Sequence, residues 1–230
     1  MARRAIKVAE ANAAPEAQAA AYWNASVYER AAGRLQAAVD LASRALTILE
    51  NGNSTRNLAK LRTQLAHTLL NDPSAETQEI RDQLDLAGRE LDWSSASPVD
   101  RARHSLVMAR LQLREGNPTA ALDSLQSIPV EVCHQDPGLT AEAHVTKVQA
   151  LTVMSEPIDV DLEQAADLLT LLGTDLGVAQ LWFSLAEAAE VAGRTGAALA
   201  AFRQAAVCLG AARMRMPSVD RPAFRLPAAQ

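Results

Sequence analysis

The chain has 230 residues, of which 49% are hydrophobic and 3% aromatic, and it carries a formal net charge of −5. That length suits one elongated repeat domain or one to two globular ones, with a core made mostly of Ala, Leu and Val. The acidic balance argues against a general nucleic-acid surface, which needs a basic excess. No apolar run approaches the roughly 18–20 residues that cross a bilayer. Apolar residues recurring every three or four positions predict helices over 2–12, 16–32, 34–50, 54–71, 75–92 and 98–115, then 118–128, 138–154, 159–172, 175–192 and 195–209. Residues 1–14 read as the last helix of an upstream hairpin. Residues 15–210 read as one array of hairpins. Residues 211–230 hold Pro217, Pro222 and Pro227 with four arginines against one acid, and read as an extended tail.

Helix punctuation supports these bounds. Ser97-Pro98-Val99-Asp100 places a capping residue, a first-turn proline and an acid at a helix start. Asp136-Pro137 and Asp72-Pro73 carry part of the same signal. Gly33, Gly116 and Gly193 are expected to end helices in the left-handed conformation. These glycines lie 83 residues (33 to 116) and 77 residues (116 to 193) apart, which fits two hairpins of about 40 residues per interval. The doublets Tyr22-Trp23 and Trp182-Phe183 are 160 residues apart, four such steps. The turns without glycine contain Asn71-Asp72-Pro73 and Glu156-Pro157.

Chemistry-bearing motifs are missing. The histidines His67, His104, His134 and His144 make no HExxH and no Cys/His ligand spacing. Gly193-Arg194-Thr195-Gly196 lacks the phosphate-loop lysine and a preceding strand. No GxSxG is present. An enzyme therefore receives no support, and no metal or cofactor is expected. Cys133 and Cys208 form no CxxC pair, and the basic start Met-Ala-Arg-Arg lacks the apolar region of a signal peptide. Both thiols are expected reduced and the compartment cytoplasmic, which makes the Asn24 and Asn53 sequons chance matches.

One hairpin spells out its packing residues as Trp182-x2-Leu185-Ala186, a turn at Gly193, then Ala198-x3-Phe202-x2-Ala205. A second copy runs through Tyr22, Ser26, Gly33, Ala38 and Ala45, and a third through Ala109, Gly116, Ala121 and Leu125. These residues resemble the tetratricopeptide repeat (TPR), whose period is about 34 residues. The family tyrosine is replaced by Glu29, Gln112 and Ala189, and the closing proline by Glu50 and Gly210. The resemblance implies an all-α, right-handed superhelical solenoid of about five antiparallel hairpins plus an N-terminal half-hairpin. An irregular helical bundle is the alternative. The segments 21–28, 56–65, 91–101 and 180–185 further resemble the C-terminal repeat half of bacterial helix-turn-helix transcriptional regulators. That likeness implies a sensor or docking role in a truncated or split regulator, with no DNA-binding residues in this chain. A stand-alone or self-associating interaction scaffold is the other reading.

In such a solenoid the first helix of each hairpin lines the concave face. Tyr22 and Trp182 are then expected between helices, with Trp23 and Phe183 toward the groove. Both aromatics of the second pair can equally be core. The same register adds Asn24, Val27 and Arg30, then Lys60, Thr63, His67 and Asn71. It continues with Arg103, Leu106, Arg110 and Arg114, and ends with Gln180, Glu187 and Glu190. The Arg103–Arg110–Arg114 stripe suits an acidic peptide or terminal carboxylate, or a solvated basic face paired with glutamates. Asn24 is placed to hold a peptide backbone. The expected partner is a protein or peptide, with no membrane and no direct nucleic acid, and homo-oligomerisation remains open.

Overall fold

A computed structural model of the chain describes residues 2–12, 14–52 and 54–215. Among these, every regular element is a helix: α1 (Ala2–Asn12), α2 (Pro15–Ala31), α3 (Leu35–Glu50), α4 (Thr55–Leu69), α5 (Thr77–Trp93), α6 (Pro98–Arg114), α7 (Pro118–Gln126), α8 (Val130–Gln135), α9 (Pro137–Val153), α10 (Asp159–Leu171), α11 (Leu176–Val191) and α12 (Thr195–Arg215). The chain forms two compact units, one up to Val107 and one from Met108.

In the first unit α2 and α3 make one antiparallel hairpin and α4 and α5 the next; α1 lies on α2, and α3 packs on α4. The α2–α3 pair is close because small residues meet: Ala19, Ala25, Ala38, Ala42 and Ala45 are buried, with Tyr22 filling the space beside them. Leu61, Leu65, Ile80 and Leu84 form the larger-residue core of the second hairpin. Arg62 is buried there too. It bonds Glu50 of α3 (2.7 Å), and Gln83 (2.9 Å) and Glu90 (3.0 Å) of α5, so three helices share one guanidinium. Burial raises the pKa of Glu90, and Arg62 opposes that shift. Two turns into α6, His104 Nε2 lies 3.0 Å from the Leu84 carbonyl of α5.

In the second unit α7 packs on α9, and α9–α10 and α11–α12 form successive hairpins. Their core runs from Val145 and Val148 through Leu162, Leu169, Trp182 and Leu185 to Ala198, Ala201, Ala205 and Cys208, with Phe183 and Phe202 partly buried against it. Ala121 is buried on α7, where Ser124 Oγ donates to Gln112 Oε1 of α6 at 2.8 Å. Helix starts are capped by Asn117, Asp136 and Asp175, whose side chains accept from Ala120, Leu139 and Val178 backbone N–H groups.

Four turns share one geometry. Gly33, Gly116 and Gly193 have φ of 75°, 75° and 73°, and Ser155 has φ of 59°. In each turn the next residue's N–H reaches back five residues, from Arg34 to Glu29 O, Asn117 to Gln112 O, Glu156 to Leu151 O and Arg194 to Ala189 O. This is the Schellman closure of a helix. The α9–α10 turn therefore uses a serine where the others use glycine, 39 residues after Gly116 and 38 before Gly193.

Three local expectations are corrected. Asp72 does not cap α5: its carboxylate accepts from Ser74 N–H and Oγ within the turn, and the helix starts only at Thr77. Helix α8 was absent from the periodicity, because six residues are too few to show a period; Pro129 starts it. Helix α12 continues past 209, because Gly210 causes no break and Ala212 is buried. Arg215 then reaches Thr174 Oγ1 at 3.0 Å. So 211–215 are helical, and the rest of the expected tail lies outside the described residues. By length and composition α12 also meets the minimum for a bilayer span, which a count of uninterrupted apolar residues did not show.

Candidate functional site

In the first unit a polar strip crosses α2, α4 and the start of α6. Trp23 on α2 is half-buried, and its indole N–H donates to Gln64 Oε1 of α4 at 2.6 Å. Gln64 Nε2 lies 3.4 Å from Ser26 Oγ, and the Ser26 hydroxyl donates to the Trp23 carbonyl at 2.7 Å. The Lys60 ammonium sits 5.7 Å from the Trp23 ring centroid, within cation–π range, and 4.0 Å from Asp100 Oδ1.

Asp100 is the far anchor. Its Oδ2 accepts from Arg56 Nε at 2.7 Å, from Ser97 Oγ at 2.8 Å and from Ser97 N–H at 3.1 Å, while Asp100 N–H donates to Ser97 Oγ at 3.2 Å. Ser97 and Asp100 thus form a capping box on α6 that also receives α4. Burial works against the Asp100 carboxylate, but the hydrogen bonds from Ser97 and Arg56 outweigh it and hold its pKa below the ordinary value. Arg56, Lys60 and Gln64 are spaced by four on one stripe of α4.

Around this strip Asn24 is exposed and Val27 keeps 37% of its surface. Arg30, His67 and Asn71 are half-buried, and Asn71 Nδ2 donates to the His67 carbonyl at the end of α4. Thr63 and Leu106 are buried, and Arg103 is exposed. Tyr22, beside Trp23 in sequence, points the other way: it is buried, and its hydroxyl donates to Glu10 of α1 at 2.5 Å. The Glu10 bond, burial and the Glu10 charge together raise its pKa.

The remaining expected residues lie in the second unit. Arg110 Nη1 donates to Glu142 Oε1 of α9 at 2.8 Å, so this arginine belongs to a paired face. Arg114 is half-buried. Phe183 packs edge-on against Phe202, with centroids 5.5 Å apart at 68°, inside its own hairpin. Trp23 and Phe183 therefore have different surroundings despite matching register. On α11, burial and then Glu190 raise the pKa of Glu187. Among the described residues no three His, Cys, Asp or Glu side chains gather to hold a metal ion.

The sequence register pointed to Trp23 and Lys60 but not to Gln64, Arg56 or Asp100 as their partners. The four-residue spacing on α4 was the available signal for the first two. Nothing local shows that α4 faces the cap of α6.

No protein-family model matches the chain, and no curated protein matches it. Among solved structures it is similar to the crystal structure of nearly identical TPR-like repeats of a kinesin light chain-like protein from Podosopora anserina. The identity is 15%, the TM-score 0.51, and the match covers 87% of this chain and 98% of that one. The chain thus has the all-α fold of a TPR-like repeat solenoid.

Proposed function

We propose that the chain is a non-catalytic module that binds a protein or peptide segment, and that it serves as the sensor or regulatory part of a bacterial transcriptional regulator in the cytoplasm. The binding reading is carried by the Trp23–Lys60–Asp100 strip, where first helices of successive hairpins combine a partly exposed aromatic face, a cation and hydrogen-bonding side chains. Such a mixture suits a peptide with an acidic or polar backbone-exposed stretch. The regulatory reading rests on the sequence likeness of 21–28, 56–65, 91–101 and 180–185. The two cysteines, both free, agree with a reducing compartment.

The test is affinity capture with the whole chain as bait, alongside Trp23→Leu and Lys60→Gln. Proteins retained by the wild type and lost from both variants, with unchanged circular dichroism, are the expected result. Identical capture by all three baits overturns the assignment of this strip. A DNA-binding or transcription-apparatus protein among the lost partners supports the regulatory part. Partners exclusively from other processes overturn it in favour of a general scaffold.

A further inference from the structure

Helix α12 is apolar on both sides. One side, with Ala198, Ala201, Ala205 and Cys208, is buried on α11. The opposite stripe is exposed, yet it carries Leu199 (51% exposed), Ala206, Val207 (59%), Gly210 and Met214 (74%), with Arg203 in its middle. Only 28% of the helix's apolar stretch is buried. A helix apolar all round is normally covered, and the terminal element of a solenoid needs a polar outer face to remain open to water. The stripe is open at Gly210, where a Cβ would meet nothing within 4 Å.

Charge limits what can cover this stripe. Helix α12 carries Arg203, Arg213 and Arg215 and no acid in 21 residues. The N-terminal stretch, with Arg3, Arg4 and Lys7 against Glu10, and the segment 216–230, with two arginines against one acid, have the wrong sign. Helix α10 has the right one. Its exposed stripe runs Val160, Glu163, Asp167, Leu171, with Val160 at 68% and Leu171 at 81% exposure.

We propose that α12 docks antiparallel on α10 of a second copy of this chain. In that register Leu199 meets Leu171, Arg203 meets Asp167, Val207 lies beside Glu163, and Gly210 receives Val160. The arginines at the C-terminal end of α12 come to the acidic N-terminal end of α10, near Glu156, so the helix dipoles also agree. Apolar residues at the ends and in the middle supply buried area, and the central ion pair sets register and direction. This association is independent of the strip on α2, α4 and α6.

Sedimentation equilibrium of the full chain over a concentration series tests it. Reversible self-association is expected, weakened at least about tenfold by Arg203→Glu or by Asp167→Arg, since 1.4 kcal/mol is a factor of ten. The double variant Arg203→Glu with Asp167→Arg should recover most of the loss, and Val207→Asp should abolish association with unchanged circular dichroism. A monomer at every concentration overturns the proposal. So does self-association indifferent to these variants, or a monomer that begins to associate only when 216–230 are removed. Binding to anionic vesicles abolished by Val207→Asp, without self-association, would assign the stripe to a membrane surface instead.

Discussion

Ser155 holds a backbone conformation that its three counterparts leave to glycine. An L-residue in the left-handed region costs about 1 kcal/mol or more relative to glycine, and the Schellman hydrogen bonds at 154–156 leave that conformation no alternative. Ser155→Gly should therefore stabilise the chain by about 0.5–1 kcal/mol, after allowing for the extra freedom glycine brings to the unfolded state. Chemical denaturation reads this as a higher midpoint at unchanged slope; a lower midpoint would contradict it. At Asp100 the folded pKa lies below the unfolded one. The group thus contributes stability above the ordinary carboxylate pKa, and loses it as pH falls through the lowered value. Asp100→Asn should lower the melting temperature at pH 7, and the gap to wild type should close as the solution is acidified through that range. A gap constant with pH would show that the carboxylate charge is not what α4 and α6 share. The sequence marked Asp100 as a helix-start acid but not as the landing point of Arg56, because the partner lies 44 residues away.

At the scale of elements, helix ends were legible where they are local chemistry: Ser97 and Asp136 begin helices, and Gly33, Gly116 and Gly193 end them, while the caps at Asn117 and Asp175 emerged only from the structure. The exceptions have local causes too. Asp72 spends its carboxylate on Ser74, and α8 is too short for periodicity. Which helix face is buried follows from the spacing of small and large residues, and the α11–α12 hairpin shows the pattern in full. Trp182 is buried among Ala, Leu and Val with little to refill the space. Trp182→Ala should cost about 3–5 kcal/mol, as for other large buried aromatics. An unchanged melting temperature would refute the packing assigned to this hairpin. Arg62 is the opposite kind of core residue: one buried cation satisfies acceptors on α3 and α5, which no single-helix pattern announces.

Across the whole molecule, hairpins stabilise mainly their neighbours, so damage should stay local. In the Trp182→Ala chain, hydrogen exchange should lose protection first in α9–α12, while amides of α2–α5 stay near their wild-type rates. Uniform loss over both units would instead indicate one cooperative block. The sequence by itself determined that this protein is a run of helical hairpins with a period near 40 residues, since caps, turn glycines and helical periodicity act over a few residues. Only the tertiary structure decided which side chains of that register reach one another. Trp23 meets Lys60 and Gln64, Phe183 turns onto Phe202, and Arg110 is drawn to Glu142, because each outcome depends on a partner helix whose distance and rotation are set by the packing of all the small residues between them.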